Sequence, residues 1–65
     1  MGWIKCTERM PDKYSDVLIY TNNPNEILLA YLNLSNDFCY DRDNDGDEIT
    51  CHATHWMPLP EPPTE

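Results

Sequence analysis

Asp41-Arg42-Asp43-Asn44-Asp45-Gly46-Asp47-Glu48 sets five carboxylates around one guanidinium, the densest collection of potential ligands in the chain. Oxygen donors at alternate positions followed by glycine are what the first half of an EF-hand calcium loop supplies. Asp41, Asp43, Asp45 and Gly46 fit that half. The second half does not follow: Glu48 occupies the eighth position, where an aliphatic residue is usual. His52 stands at the twelfth, where a bidentate carboxylate should close the cage. Two other chemistries compete for the same residues. One is a tight turn on Asp45-Gly46. The other is an imitation of nucleic-acid phosphates: on an extended segment, Asp41, Asp43, Asp45 and Asp47 would project from one side about 7 Å apart, roughly twice the ~3.4 Å rise per phosphate.

Cys39, Cys51, His52 and His55 are the other candidate ligand set. A single extended strand from Ile49 to Trp56 would place Cys51 and His55 on one side and His52 on the other. No Cys-x-x-Cys knuckle is present, so Cys6, Cys39 and Cys51 are expected to be small buried residues and no metal or cofactor is expected. There is no nucleophile elbow, and two glycines do not make a phosphate-cradling loop. The chain is not expected to be an enzyme.

Twelve acidic residues against four Lys and Arg give a net charge of −8 over 65 residues. That balance excludes charge-driven binding to nucleic acid or to an anionic membrane and points to a basic protein partner. Hydrophobic residues make up 40%, enough for one folded domain over 1–65 with a thin core. The longest apolar run, Ile27 to Leu32, is too short to cross a membrane. With no basic segment leading into an apolar stretch, a cytoplasmic location with reduced thiols is expected.

The elements that must position these residues are strands. Asp16 to Tyr20 is a β-branched and aromatic run closed by the turn cluster Thr21-Asn22-Asn23-Pro24-Asn25. Glu26 to Leu34 places Ile27, Leu29 and Tyr31 on one face and Leu28, Ala30, Leu32 and Leu34 on the other. Both faces are apolar, which suits a central strand or one at a partner interface, a homodimer included. Phe38 to Tyr40 and Ile49 to Trp56 complete a mostly β, four-strand antiparallel meander with little or no helix. Helix over Glu26 to Leu34 is the rival assignment. Trp3 and Ile4 are expected to pack beneath the sheet, and Pro58, Pro60, Pro62 and Pro63 to hold the 57–65 tail as a polyproline strap.

Trp3-Ile4-Lys5-Cys6-Thr7-Glu8-Arg9-Met10-Pro11, the strand Val17 to Tyr20, and Thr54-His55-Trp56-Met57-Pro58-Leu59-Pro60-Glu61-Pro62-Pro63 together carry a resemblance. The chain resembles small phage and prophage proteins grouped as domain-of-unknown-function family 551, from Trp3 to Pro63. The resemblance implies a phage or mobile-element origin and a small β-rich fold, and it transfers no catalytic residue. The acidic octet and the cysteines fall outside its signature.

Acidity, small size and phage-like character together suggest an inhibitor that occupies the nucleic-acid-binding surface of a basic host defence protein, of the anti-CRISPR or anti-restriction kind. Asp37, Asp41, Asp43, Asp45, Asp47, Glu48 and Glu26 would form its acidic patch, with Tyr40 as an anchor. The alternatives are an accessory module acting through self-association or protein contacts, and a calcium- or zinc-binding module.

Overall fold

Val17, Ile19 and Thr21 alternate with more exposed neighbours along β2 (Asp16–Thr21), as a strand with one buried face requires. The computed structural model describes residues 2–22 and 24–60. Its other strands are β1 (Ile4–Lys5), β3 (Glu26–Leu32), β4 (Phe38–Arg42), β5 (Glu48–Cys51) and β6 (His55–Pro58). All six join one sheet in the order β1-β6-β2-β3-β4-β5, and every pair is antiparallel. No helix occurs among the described residues.

The mostly β expectation and the β2-β3-β4-β5 meander hold, with six strands rather than four. Ile4–Lys5 and His55–Pro58 are strands as well, so Met57 and Pro58 of the expected 57–65 strap lie in the sheet. Ile4 and Lys5 pair with Trp56 and His55, and β6 pairs in turn with β2. Trp3 does not pack beneath the sheet but stands outside it, its ring 6.2 Å from that of Tyr20. Met57 and Pro58 belong to β6, where the proline sits at the strand's last position and costs the ladder little. Pro62 and Pro63 of the expected strap, and Asn23 of the turn cluster, lie outside the described residues. Strand β3 stops at Leu32, since Asn33 and Leu34 enter a turn.

The expected strand Ile49 to Trp56 divides into β5 and β6, and that division shapes the molecule. Four inter-strand steps separate β6 from β5, roughly 19 Å across a flat sheet. Cys51 to His55 is four residue steps, which span about 14 Å at full stretch. The sheet must therefore roll until its two ends approach. The Thr54 amide bonds to the Tyr20 carbonyl at 2.9 Å and the Cys6 amide to the Thr54 carbonyl at 3.0 Å, fixing the link at the closure.

Rolling encloses the core. Val17, Ile19, Ala30, Leu32, Phe38 and Trp56 are buried together, with Ile4, Cys6, Leu28, Cys51 and Ala53 packed against them. The segment between β1 and β2 lies against the same structure. The Trp56 indole donates to the Arg9 carbonyl at 2.9 Å while the Arg9 guanidinium lies 5.7 Å from the Trp56 ring. Lys13 bridges to Leu32, and Tyr14, at φ 62°, donates its amide to the Leu32 carbonyl.

Candidate functional site

Strand β4 carries one irregularity that decides where the acidic residues point. Cys39 pairs with Thr50 and Asp41 with Ile49, so Tyr40 is an extra residue, a β-bulge. Simple alternation from Cys39 would put Asp41 on the face of Tyr31. The bulge shifts the phase by one and places Arg42 there instead. Arg42 donates to the Tyr31 hydroxyl at 2.9 Å and to the Gly46 carbonyl at 2.8 Å. Tyr31 donates to Glu48 at 2.5 Å, and the other Glu48 oxygen accepts from the Asn33 amide at 2.8 Å.

These bonds tie Glu48 into the fold. Hydrogen bonds from Tyr31 and then Asn33 hold its carboxyl below the usual carboxylate range, with Arg42 3.6 Å away adding to the effect. The Tyr31 hydroxyl is pushed well above the ordinary phenol range, first by its contact with the Cys39 thiol and next by Glu48. Tyr14 stacks on Tyr31 with centroids 5.4 Å apart.

Asp43 is equally occupied. Its Oδ1 accepts the amides of Asp45 and Asp47, each at 2.9 Å, while the Asp43 amide bonds to the Asp47 carbonyl and the Gly46 amide to the Asp43 carbonyl. Gly46 takes φ 85°, the left-handed conformation that completes the hairpin. The β3–β4 connection repeats the device. Asn33 Oδ1 accepts the amides of Ser35 and Asp37, the Asn33 and Asn36 amides make the matching backbone bonds, and Asn36 takes φ 67°. A neutral amide at Asn33 thus performs the role of the Asp43 carboxylate, so the Asp43 loop is built as an Asx turn whether or not the residue is charged.

The expected row of phosphate-like carboxylates is therefore not formed. Asp41 precedes the turn with its side chain accepting the Arg42 amide, Asp43 folds inward, and Glu48 is committed to Tyr31 and Asn33. Asp45 and Asp47 project from the hairpin and are exposed. Asp37 belongs to the other loop, at the opposite end of β4. Glu26 and the anchor candidate Tyr40 share a different hollow with Leu28, Cys51 and His52. The eight expected residues fall into three places.

Breaking the strand at residues 52–54 also changes the Cys/His picture. Cys51, His52 and His55 all border one open groove of about 580 Å³, together with Cys6, Phe38 and Met10. Among the described residues, no three His, Cys, Asp or Glu side chains gather closely enough to hold a metal ion. Burial pushes the Cys6 and Cys51 thiols up, and Cys39 is buried.

The family model described as a protein of unknown function, DUF551, matches residues 2–64. The chain belongs to the DUF551 family. A relative of this DUF551 protein is a 7.8 kDa protein from the ral-gp17 intergenic region of Salmonella phage P22, 37% identical over 67 residues and covering all of both chains. No solved structure matches. The phage-like character expected from the terminal motifs of this DUF551 chain thus stands.

The residues most unlike an ordinary surface are ones the charge pattern did not single out. Cross-strand partners share a face of a sheet. The pairs Leu18–Leu29, Tyr20–Ile27, Leu18–Met57 and Tyr20–His55 therefore set a continuous apolar and aromatic surface outside the roll. Ile27 is 60% exposed and Leu29 55%. Trp3, Tyr20 and His55 frame a hollow of about 360 Å³ at one side of it. The apolar alternation of Ile27, Leu29 and Tyr31 was the sequence signal for this face.

Proposed function

We propose that this DUF551 protein is a non-catalytic, phage-encoded inhibitor that binds a basic, nucleic-acid-handling protein of the bacterial host and keeps nucleic acid from it. One observation carries the proposal: the four cationic side chains are exposed, three of them held by contacts within the chain, and twelve acidic residues outnumber them. Arg9 lies over Trp56, Lys13 bonds to the Asn33 carbonyl and to Asn36, and Arg42 is held by Tyr31 and Gly46. The acidic excess is left facing outward, and such a surface steers a basic partner and competes with nucleic acid for it. Its site of action is the host cytoplasm.

The immobilised protein, exposed to host lysate, retains a nucleic-acid-binding protein at low salt and releases it at high salt. Adding the inhibitor to that purified protein then weakens its binding to a labelled duplex or RNA. A captured protein whose nucleic-acid affinity is unchanged by saturating inhibitor removes the proposal.

A second reading, an accessory module that self-associates, is favoured by the exposed Ile27 and Leu29 on the outer sheet face. Sedimentation over a range of concentrations separates the two. A monomer at every concentration disposes of self-association.

A further inference from the structure

We infer that the surface that docks the partner is the outer face of β2, β3 and β6, centred on Leu18, Tyr20, Ile27, Leu29 and Met57, and not the acidic hairpin. The inference rests on the proposed binding of a basic protein and names the surface that performs it. Three features of the face support the assignment.

Its composition is that of an interface centre. Tyr, Trp and Met are enriched where interfaces bury most surface, and lysine is depleted there. The cross-strand rows Met57–Leu18–Leu29 and His55–Tyr20–Ile27 contain no Asp, Glu, Lys or Arg, and Lys5 of β1 continues the second row at the edge beyond His55. Trp3 stands against Tyr20 with tilted rings, and the hollow beside them has room for an inserted side chain. By contrast, the hairpin 43–47 offers mainly turn backbone, and its Asp43 is already occupied by its own amides.

The apolar centre has a charged border in which acids outnumber bases. Glu8 and Lys5 line the hollow of Trp3, Tyr20 and His55, while Asp16, Asp41 and Arg42 line the shallow depression beside Leu29 and Tyr31. On the same side Arg42 is bonded to Tyr31 and Gly46.

The overall charge selects the occupant. A two-fold pairing would bring together two chains that each carry a charge of −8. Like charges oppose association. A protein whose apolar patch is ringed by Lys and Arg satisfies both the centre and the border.

The test is photocrosslinking during infection with p-benzoylphenylalanine at position 29 or at position 45, followed by titration of the purified adduct partner. The expected result is an adduct from position 29 to a basic protein. Its affinity falls at least ~30-fold with Tyr20→Ala or Leu29→Asp, the loss that defines a central anchor, and changes little with Asp45→Lys plus Asp47→Lys. Asp16→Lys slows association and flattens its salt dependence. Both residue 29 and residue 45 are exposed, and circular dichroism of each variant verifies folding. An adduct from position 45 alone to a basic protein overturns the face and leaves the inhibitor proposal standing. A self-adduct at 29 overturns the choice of partner in favour of a second copy. A partner bound equally at low and high salt, or no adduct from either position, overturns the inhibitor proposal and the face with it.

Discussion

Asn33 and Asp43 occupy equivalent positions in two hairpin loops, and each accepts two backbone amides two and four residues ahead at 2.9 Å. One carries a side-chain amide and the other a carboxyl group. The shared geometry makes charge dispensable at Asp43. Asp43→Asn should therefore leave the urea midpoint nearly unchanged, while Asp43→Ala should cost about 1 kcal/mol by analogy with lost capping side chains. A much larger loss in the asparagine variant would contradict the equivalence.

The fourth loop position tells the same story through the backbone. Gly46 at φ 85° matches Asn36 at φ 67°. Gly46→Ala should destabilise by about 1 kcal/mol, because a Cβ disfavours this region even though open space surrounds it. Gly46→Asn should lose less, since asparagine already adopts the conformation at the twin site. Chemical denaturation of the two variants side by side gives the ordering.

Glu48 predicts a pH dependence. Its folded-state pKa is lowered, chiefly by Tyr31 and then by Asn33. A carboxylate of this kind contributes stability that is present above its unfolded pKa, about 4.3, and lost as pH falls through the lower folded value. The melting temperature should drop on acidification below about pH 4.3, and less steeply in Glu48→Gln. Carbon-detected NMR titration should show the Glu48 carboxyl moving back up in Tyr31→Phe. An unmoved titration would mean that the Tyr31 bond is not formed in solution.

Core truncation should be severe for a domain this thin. Leu32 is 1% exposed and Ile19 fully buried. Ile19→Val should cost about 0.5–1.5 kcal/mol and Leu32→Ala about 2–5 kcal/mol, enough to leave much of the alanine variant unfolded at growth temperature. Tryptophan fluorescence is a suitable readout because Trp56 sits in the same cluster.

Thiol reactivity should separate the three cysteines. Cys39, buried and donating to the Asp41 carbonyl at 3.2 Å, should resist alkylation in the native state. Cys6 and Cys51 border the open groove but carry raised pKa values from burial, so their labelling should be slow at neutral pH and accelerate in alkali. Mass spectrometry of timed iodoacetamide reactions resolves the order.

Local pattern was enough for much of the fold. The β-branched and aromatic run Asp16 to Tyr20 identified β2, and the two apolar faces of Glu26 to Leu34 identified β3, which ends at Leu32, because side-chain direction along a strand is a local property. Turn-forming residues likewise marked the break after Tyr20 and the tight turn on Asp45-Gly46. The charge balance, the absence of a helical period and the phage-like terminal motifs are likewise properties of the chain itself. Pairing is not local. Nothing within Ile49 to Trp56 reveals that His52–Thr54 leave the neighbourhood of β4 and bring β6 beside β2, since that choice depends on how the whole sheet rolls. The two-residue strand β1 exists only because β6 is there to receive it. The Tyr40 bulge, which exchanges Asp41 for Arg42 on the face of Tyr31, is a register decision between two strands. Through it the tertiary structure turned a run of carboxylates into a braced hairpin and left an apolar sheet face open beside it.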